Sequence, residues 1–103
     1  MASSDVFSAL ASPVRRSLLE LLSDKPHTVN ELADRFDMRR PSVSEHLKIL
    51  KDAGLVEDVA AGTRRIYRLN PVALAALRDQ LDTYWQRALV GYADAAEAPT
   101  KEG

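Results

Sequence analysis

The chain contains no cysteine. That excludes a disulfide frame and any metal site built on thiolates, and it fits a reducing compartment. No apolar run approaches the roughly 20 residues needed to span a bilayer, so no membrane role is expected. Histidine is scarce, with two residues, and neither lies beyond position 46. The sequence has no glycine-rich phosphate loop, no paired His–Glu metal motif, no internal repeat and no low-complexity tract. Ser42, Ser44 and His46 fall close together, but side chains two apart on a helix do not face each other and form no nucleophile–base–orienter set. Neither catalysis nor a cofactor is expected. A chain of 103 residues, 46% hydrophobic and 28% charged, suits one globular domain with a single core.

An excess of positive charge is missing too: the net charge is −1. Its distribution is uneven. Residues 39 to 68 hold seven Arg/Lys against four acids, a balance of +3; the remainder holds seven against eleven, a balance of −4. A basic segment on an acidic body turns the molecule toward phosphate.

The first seventeen residues, MASSDVFSALASPVRRS, have the serine and arginine content of a transit segment. Val6, Phe7, Leu10, Val14 and Leu18 nevertheless run at helical spacing straight into the next helix, and Asp5 is acidic, so a structured start is expected. Asp5 to Leu10 reads as a short helix. Ser12-Pro13 supplies a capping residue and a proline at the first helical position, opening a second helix over Val14 to Leu22 with Leu18, Leu21 and Leu22 inward. Asp24 to His27, with Pro26, ends it. His27 falls in this loop and is assigned no role.

Thr28 and Glu31 form a T-x-x-E capping box. Val29, Leu32, Ala33 and Phe36 follow at i, i+3, i+4 and i+7, one apolar face of a third helix. A basic turn, Asp37-Met38-Arg39-Arg40-Pro41, leads to a fourth helix reaching about Ala53, with Val43, Leu47 and Leu50 inward. Gly54 supplies a left-handed stop, onto which Leu55 can fold back. About twelve residues give roughly 18 Å, a fit for a DNA major groove. Leu55 to Val59 and Arg64 to Leu69 read as two strands around Ala60-Ala61-Gly62-Thr63. Asn70-Pro71 caps a last helix reaching about Tyr92. The expected fold is mainly α with a small β-hairpin: residues 1–92 form a winged helix-turn-helix that binds DNA and dimerises, and residues 93–103 a flexible tail.

At these residues the chain resembles bacterial winged-helix repressors of the ArsR/SmtB type. SPVRRSLLELL is similar to the family's opening helix and NELADRF to its first helix-turn-helix element. RRPSVSEHLKILKDAGLV resembles the recognition helix with its exit, and AGTRRIYRLNP the wing with its lead-out. The likeness covers roughly residues 5 to 92 in the expected order, most specifically in PSVSEHLKILKDAGLV. YWQRAL resembles the subset with tryptophan in the last helix, which often lacks a metal site. Two departures stand out. Arg39 occupies the place where the family usually has serine, and losing a polar N-cap costs about 1 kcal/mol. The family's metal sites are missing: cysteine pairs cannot form in the third helix, and the last helix offers Asp79 and Asp82 but no histidine.

The resemblance implies DNA contacts, a dimer and repression. Ser42, Ser44, Glu45 and Lys48 project from the fourth helix away from its apolar stripe. Short hydroxyls suit base edges or phosphates, and a carboxylate can accept from cytosine N4. Arg39 and Arg40 at the turn are expected on phosphate. His46 lies partway toward the buried face, where it serves either as a phosphate donor or as a packing residue. Thr63, Arg64 and Arg65 mark the wing tip. The two arginines point to opposite faces of the ribbon; one is expected at the minor groove or a flanking phosphate, the other packed or paired with an acid such as Asp58. Arg65 shares parity with Tyr67 and Leu69, which favours Arg64 for DNA. Leu77, Leu81, Tyr84, Trp85, Ala88, Leu89 and Tyr92 form a stripe too broad for one small body to cover, and with Val6, Phe7 and Leu10 they are expected to build a dimer surface.

The function that follows is a cytoplasmic homodimeric repressor, without metal, on a near-palindromic double-stranded operator that includes its own promoter. Nothing in the sequence specifies an inducer. The rival reading is a winged-helix module that docks a protein instead of DNA; positive charge at both ends of the basic segment argues against it.

Overall fold

The computed structural model describes residues 3–97, with side chains over residues 6–95. The elements run α1 (Ser3–Leu10), α2 (Pro13–Asp24), β1 (His27–Thr28), α3 (Val29–Phe36), α4 (Arg40–Asp52), β2 (Val56–Ala61), β3 (Arg64–Leu69) and α5 (Pro71–Glu97). The chain divides into two compact units, Met1–Ala73 and Leu74–Gly103.

Local chemistry sets most boundaries in the first unit. Ser12 caps α2 by accepting from the Arg15 backbone N–H, with Pro13 in the first turn. The capping box at α3 is complete: Thr28 Oγ1 accepts from Glu31 N at 3.2 Å, and Glu31 Oε1 accepts from Thr28 N at 2.9 Å. The bond from the Thr28 backbone N–H is the main reason the Glu31 carboxyl sits below its ordinary pKa. Asp37 ends α3 in the left-handed region at φ 52°, which a short polar side chain tolerates. Gly54 ends α4 at φ 84°, and Leu55 N bonds back to Leu50 O at 3.0 Å.

The core takes Leu18 and Leu22 from α2, Leu32 and Ala33 from α3, Val43, Leu47 and Leu50 from α4, and Leu55 and Val56 beyond it. Leu18, Leu32, Leu47, Leu50 and Leu55 are fully buried. At about 2 kcal/mol per buried leucine, this cluster fixes the roll of α4 about its own axis. Leu21, Val29 and Phe36, expected inward, are only half-buried.

Three expectations need correcting. The sheet has three strands, not two, in the order β1-β3-β2, all antiparallel. His27 is therefore not in a loop: it pairs with Tyr67, and the residue is 4% exposed. A strand of two residues beside Pro26 is too short to show alternation. Next, Ala60 and Ala61 belong to β2, opposite Arg65 and Arg64. The wing turn is only Gly62-Thr63, with Gly62 at φ 65°. Alanine's weak strand preference points to a loop, and pairing along β3 overrides it. Finally, Arg40 is already helical, so the basic turn is shorter than expected.

Asn70 Oδ1 accepts from Val72 N at 3.0 Å and Ala73 N at 3.4 Å, opening α5. In the second unit α5 continues to Glu97, five residues past the expected end. Within residues 93–97, ADAAE, the three alanines and Glu97 are good helix formers. The rest of that segment, residues 98–103, lies outside the described residues, as do residues 1–2.

Candidate nucleic-acid interface

The buried stripe of α4 determines what its other faces can do. With Val43, Leu47 and Leu50 inward, 3.6 residues per turn put Glu45, Lys48 and Asp52 on the opposite side. Ser44, Glu45, Lys48 and Arg40 are exposed; Ser42 and His46 are half-buried. The helix has two flanks. Arg40, Ser44 and Lys51 lie on the flank toward the wing, whereas Ser42, His46 and the exposed Ile49 lie on the other. Lys48 pairs with Asp52 at 3.0 Å in an open i,i+4 bridge that is worth only a few tenths of a kcal/mol and leaves the ammonium free to exchange partners.

Arg39 occupies the N-cap of α4 in an extended conformation and makes no side-chain cap bond. Pro41 carries no N–H, and Ser42 N and Val43 N bond Arg39 O at 3.0 and 3.2 Å, so positive charge at the helix start comes from the Arg39 and Arg40 side chains and the helix dipole. Arg40, Thr63, Arg64 and Arg65 line one concavity with Thr28, Val29 and Asn30 at the start of α3. The two ends of the basic segment therefore meet in space, a meeting invisible in the linear order. Asn30 joins the site only through this closure.

The wing arginines are not equivalent. Asp58, whose side chain is 9% exposed, accepts from Lys51 Nζ at 2.8 Å and lies 3.4 Å from Arg65 Nη1. Arg68 bonds Glu57 at 2.8 Å. Among the described residues, no carboxylate lies within ion-pair distance of Arg64, Arg39 or Arg40. Pairing of Arg65 with Asp58 matches the expectation, and Arg64 is left as the unneutralised wing cation.

The hydrogen bond from Lys51, then the nearby positive charges, hold the Asp58 carboxyl below its ordinary pKa, and Asp58 raises that of Lys51 in turn. A depressed carboxyl contributes stability above its unfolded value of about 3.9 and loses it as pH falls through the folded value. Asp58→Asn is therefore expected to cost about 1 kcal/mol at neutral pH, with the difference from wild type closing on acidification. Urea midpoints measured at neutral and acidic pH check this; a gap that stays constant with pH would mean the carboxylate is not paired in solution.

Sequence reasoning missed Arg15. Its Nη1 lies 3.3 Å from His46 Nδ1, across 31 positions of chain. Its only local signal is an arginine following a capped turn, which does not name a distant partner. His46 thus touches protein on one side, as the packing alternative required, while remaining half-open.

Of the apolar residues expected at a subunit interface, Phe7 is exposed and Val6 and Leu10 half-buried on α1. On α5, Leu81, Tyr84, Trp85, Ala88, Leu89 and Tyr92 are exposed and Leu77 half-buried. Among the described residues, no three His, Cys, Asp or Glu side chains come together as a metal site.

A helix-turn-helix domain model matches residues 10–59. HTH-type transcriptional regulator Rv2034 of Mycobacterium tuberculosis is 55% identical over 85 residues, spanning 82% of this chain and 79% of that protein. The transcriptional repressor SdpR of Bacillus subtilis is 39% identical over 70 residues, spanning 68% of this chain and 78% of that protein. The crystal structure of an ArsR family transcriptional regulator superposes with a TM-score of 0.73 at 35% identity, over 81% of this chain and 91% of that one. The solution structure of a homodimeric winged helix-turn-helix DNA-binding domain from Mycobacterium bovis, a possible ArsR-family regulator, gives 0.67 at 31% identity, over 81% and 77%. By its helix-turn-helix, its hairpin wing and these likenesses, the chain belongs to the ArsR/SmtB family of winged helix-turn-helix transcriptional regulators.

Proposed function

We propose that the protein is a homodimeric repressor that binds a near-palindromic operator, including one in its own promoter, and acts by occluding polymerase. The observation that carries this is the convergence of Arg40, Thr63 and Arg64, which has no ion-pair partner among the described residues, beside a helix whose exposed faces offer Ser44, Glu45 and Lys48. In that arrangement α4 enters the major groove. Arg39 and Arg40 hold the backbone at its start, and the wing rests on the flanking phosphate or minor groove. The relative named as a repressor and the homodimeric neighbour support the direction of regulation and the two-fold symmetry. Residues 1–92 would form the working domain, in the cytoplasm; no helix among the described residues is long and apolar enough to cross a membrane.

A gel shift on the DNA upstream of its own coding sequence tests the reading. A sequence-specific shift, retained against a scrambled duplex, is expected. Absence of any shift, there and with a random pool, would instead favour a protein-docking role for α4.

Binding is expected to need no metal. The family's thiolate site cannot form without cysteine, and α5 has no histidine for the alternative. Zinc or a chelator should leave operator affinity within about twofold, a shift of well under 1 kcal/mol. A stoichiometric loss with one metal would reveal a site built from carboxylates and His27 or His46.

A further inference from the structure

Arg15 connects two helices that carry different parts of the proposed function. Its Nε donates to Ala9 O at 2.7 Å and its Nη2 to Ser8 O at 3.3 Å, both carbonyls near the end of α1. Arg16 bonds the neighbouring Leu10 O at 2.7 Å. The remaining Arg15 nitrogen, Nη1, faces His46 Nδ1 on α4. Ser12, capping α2, steadies the Arg15 backbone. A guanidinium only donates, so His46 Nδ1 must accept. An imidazole that accepts at Nδ1 is neutral and keeps its proton on Nε2.

We propose that Arg15 is a positioning residue that locks His46 as the Nε2–H tautomer, so that α4 presents a fixed donor to a phosphate oxygen of the bound duplex. The assignment to phosphate follows from place: His46 lies on a flank of α4, off the Glu45–Lys48 line that faces the groove floor, and the backbone walls the groove on either side. The inference rests on the DNA-binding reading above. It also makes α1, through its carbonyls, part of what orients a contact on α4.

The other histidine provides an internal control. His27 Nδ1 lies 2.7 Å from Lys25 O, and a carbonyl only accepts, so His27 must carry its proton on Nδ1. With two histidines in the chain, one of each tautomer is expected.

Long-range proton–nitrogen NMR of the two rings, at a pH where both are neutral, reads this directly. Wild type and Arg15→Lys should show His46 solely as Nε2–H, because an ammonium also only donates. In Arg15→Gln the amide can accept as well as donate, so both His46 tautomers should appear, while an unchanged His27 pattern certifies the fold. Affinity is read on a two-fold duplex selected by the wild-type protein from a random pool. Arg15→Gln and His46→Ala should each weaken it about tenfold, as expected for one charge-assisted bond, and the double variant should be no weaker than His46→Ala. An unchanged His46 tautomer in Arg15→Gln, or losses that multiply, overturns the proposal. If the wild type selects no duplex, the DNA-binding reading falls, and the NMR result still decides whether Arg15 sets the tautomer.

Discussion

Leu81→Glu and Trp85→Glu are each expected to convert a stable dimer into monomer and to lower affinity for a two-fold operator at least a hundredfold. In the single chain Leu81 is 49% exposed and Trp85 60%. Tyr84, Ala88 and Tyr92 share their side of α5 at helical spacing, with Leu89 at the margin. A stripe of that size is more apolar surface than a small monomer ordinarily leaves in water, and the proposed pairing with a second copy would remove it. A carboxylate placed in that contact must be buried unpaired, at several kcal/mol. The DNA effect follows because two recognition helices held at fixed spacing bind as one unit. A lone subunit loses the second half-site, and each 1.4 kcal/mol forfeited is about tenfold in affinity. Light scattering of wild type and variants, with a titration on operator DNA, checks both halves. A wild type that is monomeric at micromolar concentration sinks the interface and the two-fold operator together. Dimeric variants that still lose DNA would place the stripe elsewhere in the mechanism.

The second large effect separates holding from reading. Arg64→Ala is expected to weaken operator and random DNA alike and to flatten the dependence of log affinity on log salt by about one phosphate per subunit. The reason is that, among the described residues, Arg64 has no acid within ion-pair distance, whereas Arg65 and Arg68 do, so its charge is more available to the backbone. Ser44→Ala and Glu45→Ala, on exposed positions of α4, should instead shrink the gap between operator and random DNA by about 1–3 kcal/mol and leave the salt slope near wild type. Titrations of each variant on both duplexes at several salt concentrations distinguish the two patterns. Uniform loss in the serine and glutamate variants, with relaxed preference in Arg64→Ala, would reverse the roles of helix and wing.

What the sequence alone determined is local. The caps at Ser12, Thr28/Glu31 and Asn70, the stop at Gly54, and the stripe Val43/Leu47/Leu50 all depend on groups a few positions apart. Their signals survive in linear order because the partners lie within one or two turns. The class of the domain and the outward side of α4 were legible for the same reason. The tertiary structure alone decided which side chains meet across distance. It made His27 a buried strand residue, because the strand partners of His27 and Thr28 lie on β3, some forty positions away. It shortened the wing turn to Gly62-Thr63, because strand pairing outweighs the intrinsic preference of Ala60 and Ala61. It distinguished Arg64 from Arg65, which parity only suggested, through the position of Asp58 on the facing strand and of Lys51 on α4. It also set Arg15 against His46. Periodicity reports which face of a segment is buried, but not what covers it; that depends on how helices and strands close over a shared core, where partners are fixed by packing and charge rather than by neighbours in the chain.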